Sequence, residues 1–243
     1  MPPARPWLSD ATGDVSMSEN SKAAQRLMEL GGYRRKIIAF KLCDEVPSGV
    51  ESYGDDISFY CAIAAEIWQG RQPFYVTSKN VLCGGAVHSG MGSRRIIKEE
   101  FDAGLSQSLG KNKAYASREV FRRVNQQMPH HFKQYRYQVI GALEDMDDYD
   151  VLMVVAEAEK IMQLCKVYTW KTGELIHGVT GSAWCSNSFP FVHSYRTMTF
   201  NMGDPPSRRL MGLGPGEMYC FIHSSLLELI VENYKNISSG EVA

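Results

Sequence analysis

Hydrophobic and polar positions along the chain follow two periods, one typical of buried strands and one typical of helices packed on a sheet. Strands are predicted where short apolar runs lie between turn residues. Helices are predicted where apolar residues recur every three or four positions and a glycine follows. The predicted strands lie at 36–43, 73–78, 138–146, 150–157, 197–203 and 217–223, and the predicted helices at 21–30, 57–70, 97–105, 116–128, 158–173 and 224–236.

This alternation of strands and helices predicts an α/β fold, a mixed sheet layered with helices that is at least partly parallel. The first twenty residues are rich in proline and small polar residues, so we expect 1–20 to be a flexible N-terminal extension. Residues 21–243 are then expected to form a single α/β domain.

Two segments of the chain resemble each other, which raises the hypothesis of two related halves at about 36–135 and 136–243. The stretch "CAIAAEIWQGRQPFYVTSKNVLCGG" can be laid on "CKVYTWKTGELIHGVTGSAWCSN". Each runs from a cysteine through an aromatic-rich helix, a glycine and a short strand to a second cysteine. The alternative is that helix, glycine and strand follow one another in most α/β proteins. The matched residues are Cys61 with Cys165, Trp68 with Trp170, Gly70 with Gly173, and Cys83 with Cys185.

Charge and cysteine usage narrow the class of protein. The 243 residues carry 26 basic and 27 acidic side chains, a formal net charge of -1. Such a balance argues against binding to nucleic acid or to an anionic membrane surface. The six cysteines are dispersed along a chain large enough to fold without disulfides, and we expect no secretory leader, because the N-terminal residues lack the cationic and apolar pattern of one. We therefore expect free thiols in a cytoplasmic protein.

The stretch "NVLCGGAVHSGMGSRR", residues 80–95, is the first candidate site. Glycine permits positive φ angles and a close approach of the backbone, at up to about 1 kcal/mol relative to alanine inside regular structure. Backbone N–H groups at Gly84 and Gly85, followed by Arg94, would suit an anionic small molecule or cofactor. The spacing matches neither a Walker loop nor a dinucleotide fingerprint. The alternative is a tight connection between a strand and a helix.

Cys83 opens this stretch and is the candidate nucleophile. A thiolate is favoured near a helix N-terminus and beside arginines, which suits a catalytic cysteine or a metal ligand. His88, five residues later, is a candidate general base or axial ligand. The alternatives are a packing thiol and a polar loop residue.

Three of the cysteines are candidate metal ligands. Cys61, Cys83 and Cys185 each lie at the edge of a predicted helix or strand, and thiolates select soft metals and iron–sulfur clusters. Three thiolates would leave one iron open to a substrate. The usual paired CxxC signal is absent from the sequence, so the iron–sulfur centre is a hypothesis without a motif.

The late segment "DPPSRR" presents Arg208 and Arg209 from a rigid turn, as candidates for binding a carboxylate or phosphate. The alternatives are an exposed pair or an ion pair with Glu217. Large aromatic residues flank the glycines and cysteines. They would either line a pocket for a flat ligand or belong to the core. These residues are Trp68, Tyr75, Trp170 and Trp184.

Several of these features together carry a family likeness. They are the helix start at 59–61, the Cys-Gly-Gly-Ala turn at 83–86, the helix end at 172–174, Cys185, and the segment "GDPPSRRLMGLGPGEM". The chain resembles the uncharacterised family known as domain of unknown function 169, whose members occur in archaea and anaerobic bacteria. The likeness covers roughly residues 22–224. It implies the α/β fold and the candidate site, and it brings no established activity.

The leading functional hypothesis is a protein that binds a small molecule or cofactor, with a thiolate-held iron–sulfur or other metal centre in anaerobic redox metabolism as its finer form. One rival hypothesis is an enzyme that uses Cys83 as its nucleophile. Another is an accessory subunit of a larger complex or a homo-oligomer, with the polar region at 94–136 as its interface. The leading hypothesis places its pocket where the Cys83 loop, the Cys185 loop and the Arg208–Arg209 turn converge.

Overall fold

The computed structural model describes residues 19–91, 115–127 and 133–237. Within these ranges the chain forms seven strands and eight α-helices. The strands are β1 (Ile38–Cys43), β2 (Glu51–Ser52), β3 (Phe74–Val76), β4 (Tyr137–Ala142), β5 (Val151–Glu157), β6 (Met198–Asn201) and β7 (Glu217–His223). The helices are α1 (Glu19–Gly31), α2 (Tyr60–Ala65), α3 (Gly85–His88), α4 (Arg118–Gln127), α5 (Ala158–Thr172), α6 (Ser188–Tyr195), α7 (Pro205–Leu210) and α8 (Leu227–Asn233).

All seven strands belong to one sheet, in the order β2-β3-β4-β1-β5-β7-β6. Neighbouring strands are antiparallel except β2 and β3, which are parallel. The mixed sheet predicted from the sequence is therefore confirmed. Its parallel part is confined to one short pair at the edge, since five of the six neighbouring pairs are antiparallel.

Alternating side chains divide the sheet into two buried faces, as expected of strands covered on both sides. On β7, Tyr219 and Phe221 pack on the first face, while Cys220 and Ile222 pack on the second. The first face is covered by α2, α6 and the loop before α6. The second is covered by α1, α5 and α8. The result is a three-layer arrangement with a separate core on each side of the sheet.

Two glycines end helical segments as the sequence predicted. The short 3₁₀ continuation of α2, Glu66–Gln69, ends at Gly70, whose φ is 91°. Helix α5 ends at Gly173, whose φ is 74°. Both backbones are left-handed, a conformation that costs glycine little and other residues more.

The proposed relation between two halves of the chain is not confirmed. The segment with Cys61 forms a six-residue helix on the first face, whereas the segment with Cys165 forms the fifteen-residue α5 on the second. Two segments with a similar sequence pattern thus form helices in different layers of the fold. The N-terminal residues 1–18, the predicted helix at 97–105 and Arg94 lie outside the described residues. Within the described ranges, no helix has the length and apolar character needed to cross a bilayer.

Candidate functional site

The first face of the sheet brings together three parts of the sequence-predicted site. Tyr60 and Cys61 lie in the first turn of α2, and Cys185 lies in the loop that precedes α6. Gly85 begins α3 and lies against both. A Cβ atom at this glycine would be 2.8 Å from the Cβ of Tyr60 and 3.2 Å from the Sγ of Cys185. The glycine is therefore required here for close packing against its neighbours.

Cys61 and Cys185 form a buried thiol pair. The two residues are only 6% and 3% exposed, and the Cys61 thiol is the largest influence on the pKa of Cys185. The contact with Cys61 and burial together raise the pKa of the Cys185 thiol well above its ordinary value. Cys185 is therefore a protonated, neutral thiol at neutral pH.

A row of three aromatic rings, those of Tyr60, Trp184 and Tyr219, lies beside this thiol pair. The Tyr60 and Trp184 ring centroids are 5.1 Å apart, and those of Trp184 and Tyr219 are 6.3 Å apart. All three residues are fully buried. We call this group the aromatic row.

At one end of the aromatic row, the Tyr60 hydroxyl forms a hydrogen bond with Gln138. It donates to the Oε1 atom of Gln138, a fully buried side chain on β4. Burial raises the pKa of Tyr60 well above its ordinary value, and the neighbouring Cys185 adds to the effect. Tyr60 therefore remains a neutral hydroxyl, and Gln138 is held by one end of its amide.

Three buried polar atoms near the aromatic row have no hydrogen-bond partner among the described residues. They are Nε1 of Trp184, Nε2 of Gln138 and Oδ1 of Asp204. Buried polar groups in folded proteins are nearly always paired, because an unpaired one costs about 1–3 kcal/mol. If the Gln138 amide were turned over, its oxygen would be the unpaired atom instead.

The position of Asp204 in the chain limits the backbone donors available to its carboxylate. The residue precedes α7, where a carboxylate normally accepts bonds from the first backbone N–H groups. Pro205 and Pro206 occupy those first positions and have no N–H. The negative charge of Asp204 contributes to the raised pKa values of Cys185 and Tyr219, which places it near one end of the aromatic row.

Cys83 and His88 lie on the rim of this region. Cys83 is half-buried and packs against the first-face core, and its carbonyl accepts from the N–H of Ala86. His88 is the half-buried last residue of α3. Gly84 has an ordinary φ of -55°. The loop at this point is thus a tight turn into a short helix, which was the alternative interpretation of the sequence.

The predicted three-thiol metal site is not assembled. Cys61 meets Cys185, but the part of the chain described here contains no group of three or more His, Cys, Asp or Glu side chains placed to hold a metal ion. Cys83 is therefore not a third ligand beside the pair. The iron–sulfur hypothesis gains no support from the arrangement of these thiols.

Arg208 and Arg209 have different surroundings. The guanidinium of Arg208 donates to four main-chain carbonyls at 2.5 to 3.3 Å, those of Met202, Gly214, Pro215 and Glu217. Arg209 is exposed to solvent. The first arginine thus holds the turn before β7 in place, and the sequence had predicted that it binds an anionic ligand.

Glu217, which the sequence offered as an alternative partner of these arginines, forms its ion pair with Arg35. Nε of Arg35 donates to Oε1 of Glu217 at 2.8 Å, and one terminal nitrogen donates to Oε2 at 2.7 Å. This bond lowers the pKa of Glu217 below its ordinary value. The Arg35 guanidinium also lies 4.5 Å from the ring centroid of Trp68. Sequence reasoning missed Arg35, because 182 positions separate it from Glu217.

The aromatic residues predicted to wall a ligand are not gathered in one place. Trp184 belongs to the aromatic row, while Trp68 donates to the carbonyl of Lys36 and Trp170 is 54% exposed. Tyr75 packs against Tyr137, with ring centroids 5.4 Å apart.

An open cleft lies elsewhere, between the end of α5 and the start of β6. Its volume is about 470 Å³. It is lined by Tyr168, Glu174, Leu175, Ile176, His177, Phe191, Thr197 and Met198. Its carboxylate is already engaged, since Glu174 accepts from the Tyr168 hydroxyl at 2.6 Å. Most of the loop that forms its wall is exposed, so this cleft is less enclosed than the aromatic row.

Comparison with known proteins assigns the chain to a family. The family model DUF169, described as Uncharacterised ArCR, COG2043, matches residues 26–233. The chain belongs to the DUF169 family. No curated protein and no solved structure gives a significant match. The match spans the whole sheet and both thiol-bearing loops, and it confirms the resemblance seen in the sequence.

Two groups of residues that carry the DUF169 likeness have distinct positions in the fold. Tyr60, Cys61, Gly85 and Cys185 meet on the first face of the sheet. Arg208 and Glu217 stabilise the turn before β7. The first group is the candidate site, and the second supports the strand that carries Tyr219.

Proposed function

We propose that this DUF169 protein binds a small organic molecule on the first face of the sheet, at the aromatic row and the Cys61–Cys185 thiol pair. The observation that carries the proposal is the buried, unpaired N–H donors of Trp184 and Gln138. A ligand with a hydrogen-bond acceptor would satisfy them. Proteins tolerate such costly groups most readily where they serve a function.

The surroundings favour an uncharged ligand. Asp204 contributes a negative charge at one end of the row. Arg208, predicted from sequence to bind an anion, donates to carbonyls of its own chain. A carbonyl or a ring nitrogen would accept from Trp184 without meeting electrostatic repulsion from Asp204. Neutral carbonyl-bearing compounds are therefore favoured over the anionic ligands expected from the sequence.

The thiol pair and the rings supply the apolar part of the site. A protonated thiol is a small polarisable group, and aromatic rings provide flat walls for an unsaturated ligand. The raised pKa of Cys185 disfavours the thiolate that nucleophilic catalysis or metal binding requires. These properties support binding over catalysis at this pair.

A pair of matched compounds tests the preference for a neutral ligand. Benzamide and benzoate have the same ring and nearly the same shape, and only benzoate is charged. Thermal unfolding in the presence of each should show stabilisation by benzamide and less or none by benzoate. Stabilisation by benzoate alone would contradict the neutral-ligand proposal.

A pair of tryptophan variants tests the location. Trp184→Phe removes the buried N–H donor, whereas Trp170→Phe changes an exposed ring. We expect the first variant to lose benzamide stabilisation and the second to keep it. Equal stabilisation of both variants would place the binding site elsewhere. Far-ultraviolet circular dichroism shows whether each variant is folded.

A further inference from the structure

A second thiol pair lies on the opposite face of the sheet. Cys220, on β7, is fully buried in the second-face core. Cys165, on α5, packs against the same core and is partly exposed. Each thiol is the largest influence on the pKa of the other, and the helix and strand that carry them pack directly on each other. Each face of the sheet therefore carries one pair of neighbouring cysteines.

The two pairs differ in their access to solvent. Both members of the first pair are buried, at 6% and 3% exposed. In the second pair only Cys220 is sealed, and Cys165 reaches the surface. Thiols that respond to oxidants are generally accessible and lie next to a second cysteine that can close a disulfide. The second pair has this arrangement, and the first does not.

The difference in solvent access gives the members of the second pair different roles, and the pKa shifts of the two thiols agree with it. The contact with Cys220 lowers the pKa of Cys165, which favours its thiolate. The interaction with Cys165, together with burial, raises the pKa of Cys220, so this thiol stays protonated. The accessible sulfur of Cys165 is therefore the nucleophile that attacks the oxidant. The buried thiol of Cys220 reacts in the second step.

We propose that Cys165 and Cys220 form a reversible disulfide when the protein meets a hydroperoxide. The Cys165 thiolate attacks the outer peroxide oxygen, the O–O bond breaks, and the leaving alkoxide or hydroxide takes up a proton. Cys165 is thereby oxidised to a sulfenic acid. The Cys220 sulfur then attacks the Cys165 sulfur, the S–O bond breaks, and water leaves with the Cys220 proton. One hydroperoxide is reduced for each disulfide formed, and a dithiol reductant restores both thiols.

Such a bond would tie α5 to β7. The helix packs directly on this strand, so the crosslink would join two elements that already contact each other. Helix α5 also packs against α8, and the crosslink would join this layer to the centre of the sheet. The oxidised protein is therefore expected to resist unfolding more than the reduced protein.

Intact-mass and peptide analysis of the full chain after hydrogen peroxide treatment tests this proposal. We expect a loss of two hydrogen masses, a single crosslinked peptide containing residues 165 and 220, and full reversal by dithiothreitol. Cys165→Ser should abolish the crosslink. Cys220→Ser should leave a sulfenic acid at Cys165 that reacts with dimedone.

The first thiol pair provides the matched control. A Cys61→Ser, Cys185→Ser double variant should form the Cys165–Cys220 crosslink as the unmodified protein does. Unchanged mass, a crosslink between other cysteines, or oxygen addition at Cys165 with Cys220 still free would each overturn the proposal. Since no step involves the aromatic row, these results are independent of ligand binding there.

Discussion

Gly85 lies so close to Cys185 that a methyl group at position 85 would be 3.2 Å from the Cys185 sulfur. The same methyl group would be 2.8 Å from the Cβ of Tyr60. One glycine therefore fixes the approach of α3 to both the thiol pair and the aromatic row. The turn at Cys83 to Ala86, one of the features of the family resemblance, is thus linked to the proposed binding site by packing.

Gly85→Ala should destabilise the fold by about 1–3 kcal/mol, because a buried Cβ must displace the backbone-near atoms of Tyr60. Urea unfolding measures the difference. Gly214→Ala is the matched control, since a Cβ there meets only ordinary contacts at 3.6 Å or more. Equal stability of the two variants would show that α3 does not pack as described.

Arg208→Lys should cost about 2–3 kcal/mol of unfolding free energy, because a lysine cannot reproduce the forked bonds to four carbonyls. Arg209→Lys should be nearly neutral, since Arg209 is exposed. Chemical denaturation of the two variants side by side provides the measurement. If Arg208→Lys kept full stability and lost only ligand affinity, the sequence-based role of Arg208 in binding would be correct.

Glu217→Gln should reveal a pH-dependent contribution to stability. The pKa of Glu217 is lowered from its ordinary value of 4.5, chiefly by the bond from Arg35. A group with a lowered folded-state pKa stabilises the fold above its unfolded pKa and loses that effect as pH falls through the folded value. The variant should therefore be less stable by about 1–2 kcal/mol at pH 7, and the difference should shrink below pH 4.5.

Urea unfolding of both proteins between pH 7 and about pH 3 checks this expectation. Glu51→Gln is the control, because Glu51 is exposed on β2. A difference between Glu217→Gln and the unmodified protein that stays constant across the acid range would exclude the lowered pKa.

Tyr60→Phe should cost more stability than Tyr60→Phe combined with Gln138→Leu. The single change leaves the buried Gln138 amide with neither end paired, at about 1–3 kcal/mol. The double change replaces both partners by apolar groups, which is often close to neutral. A double-mutant cycle by urea unfolding gives the coupling energy. A coupling energy of zero would mean that Tyr60 and Gln138 do not interact.

The elements of the fold were predictable because their signals are local. The apolar run of β5 and the glycine that ends α5 each mark an element without reference to the rest of the chain. That Cys61, Cys83 and Cys185 would meet was a hypothesis drawn from their positions at the edges of elements, and the structure brings Cys185 together with Gly85 and the start of α2. The third predicted thiol, Cys83, remained on the rim because its turn packs tightly into α3.

The polar partners in the site depend on distant contacts and could not be read locally. Gln138 lies in the otherwise apolar start of β4, and one polar residue in a buried strand was the only sequence signal for its role. Nothing near Arg35 in the sequence indicates that Glu217 is its partner, because the two residues meet only in the folded chain. Such contacts are set by the order of strands, which hydrophobic periodicity does not encode.

Native mass spectrometry of the protein as purified tests the central claim most directly. The account predicts a species heavier than the 27.3 kDa polypeptide, whose added mass leaves on denaturation and whose abundance falls in Trp184→Phe but not in Trp170→Phe. If the purified protein has the mass of the polypeptide alone, and benzamide leaves the thermal unfolding of the unmodified chain unchanged, the proposal of a small-molecule site at the aromatic row is contradicted.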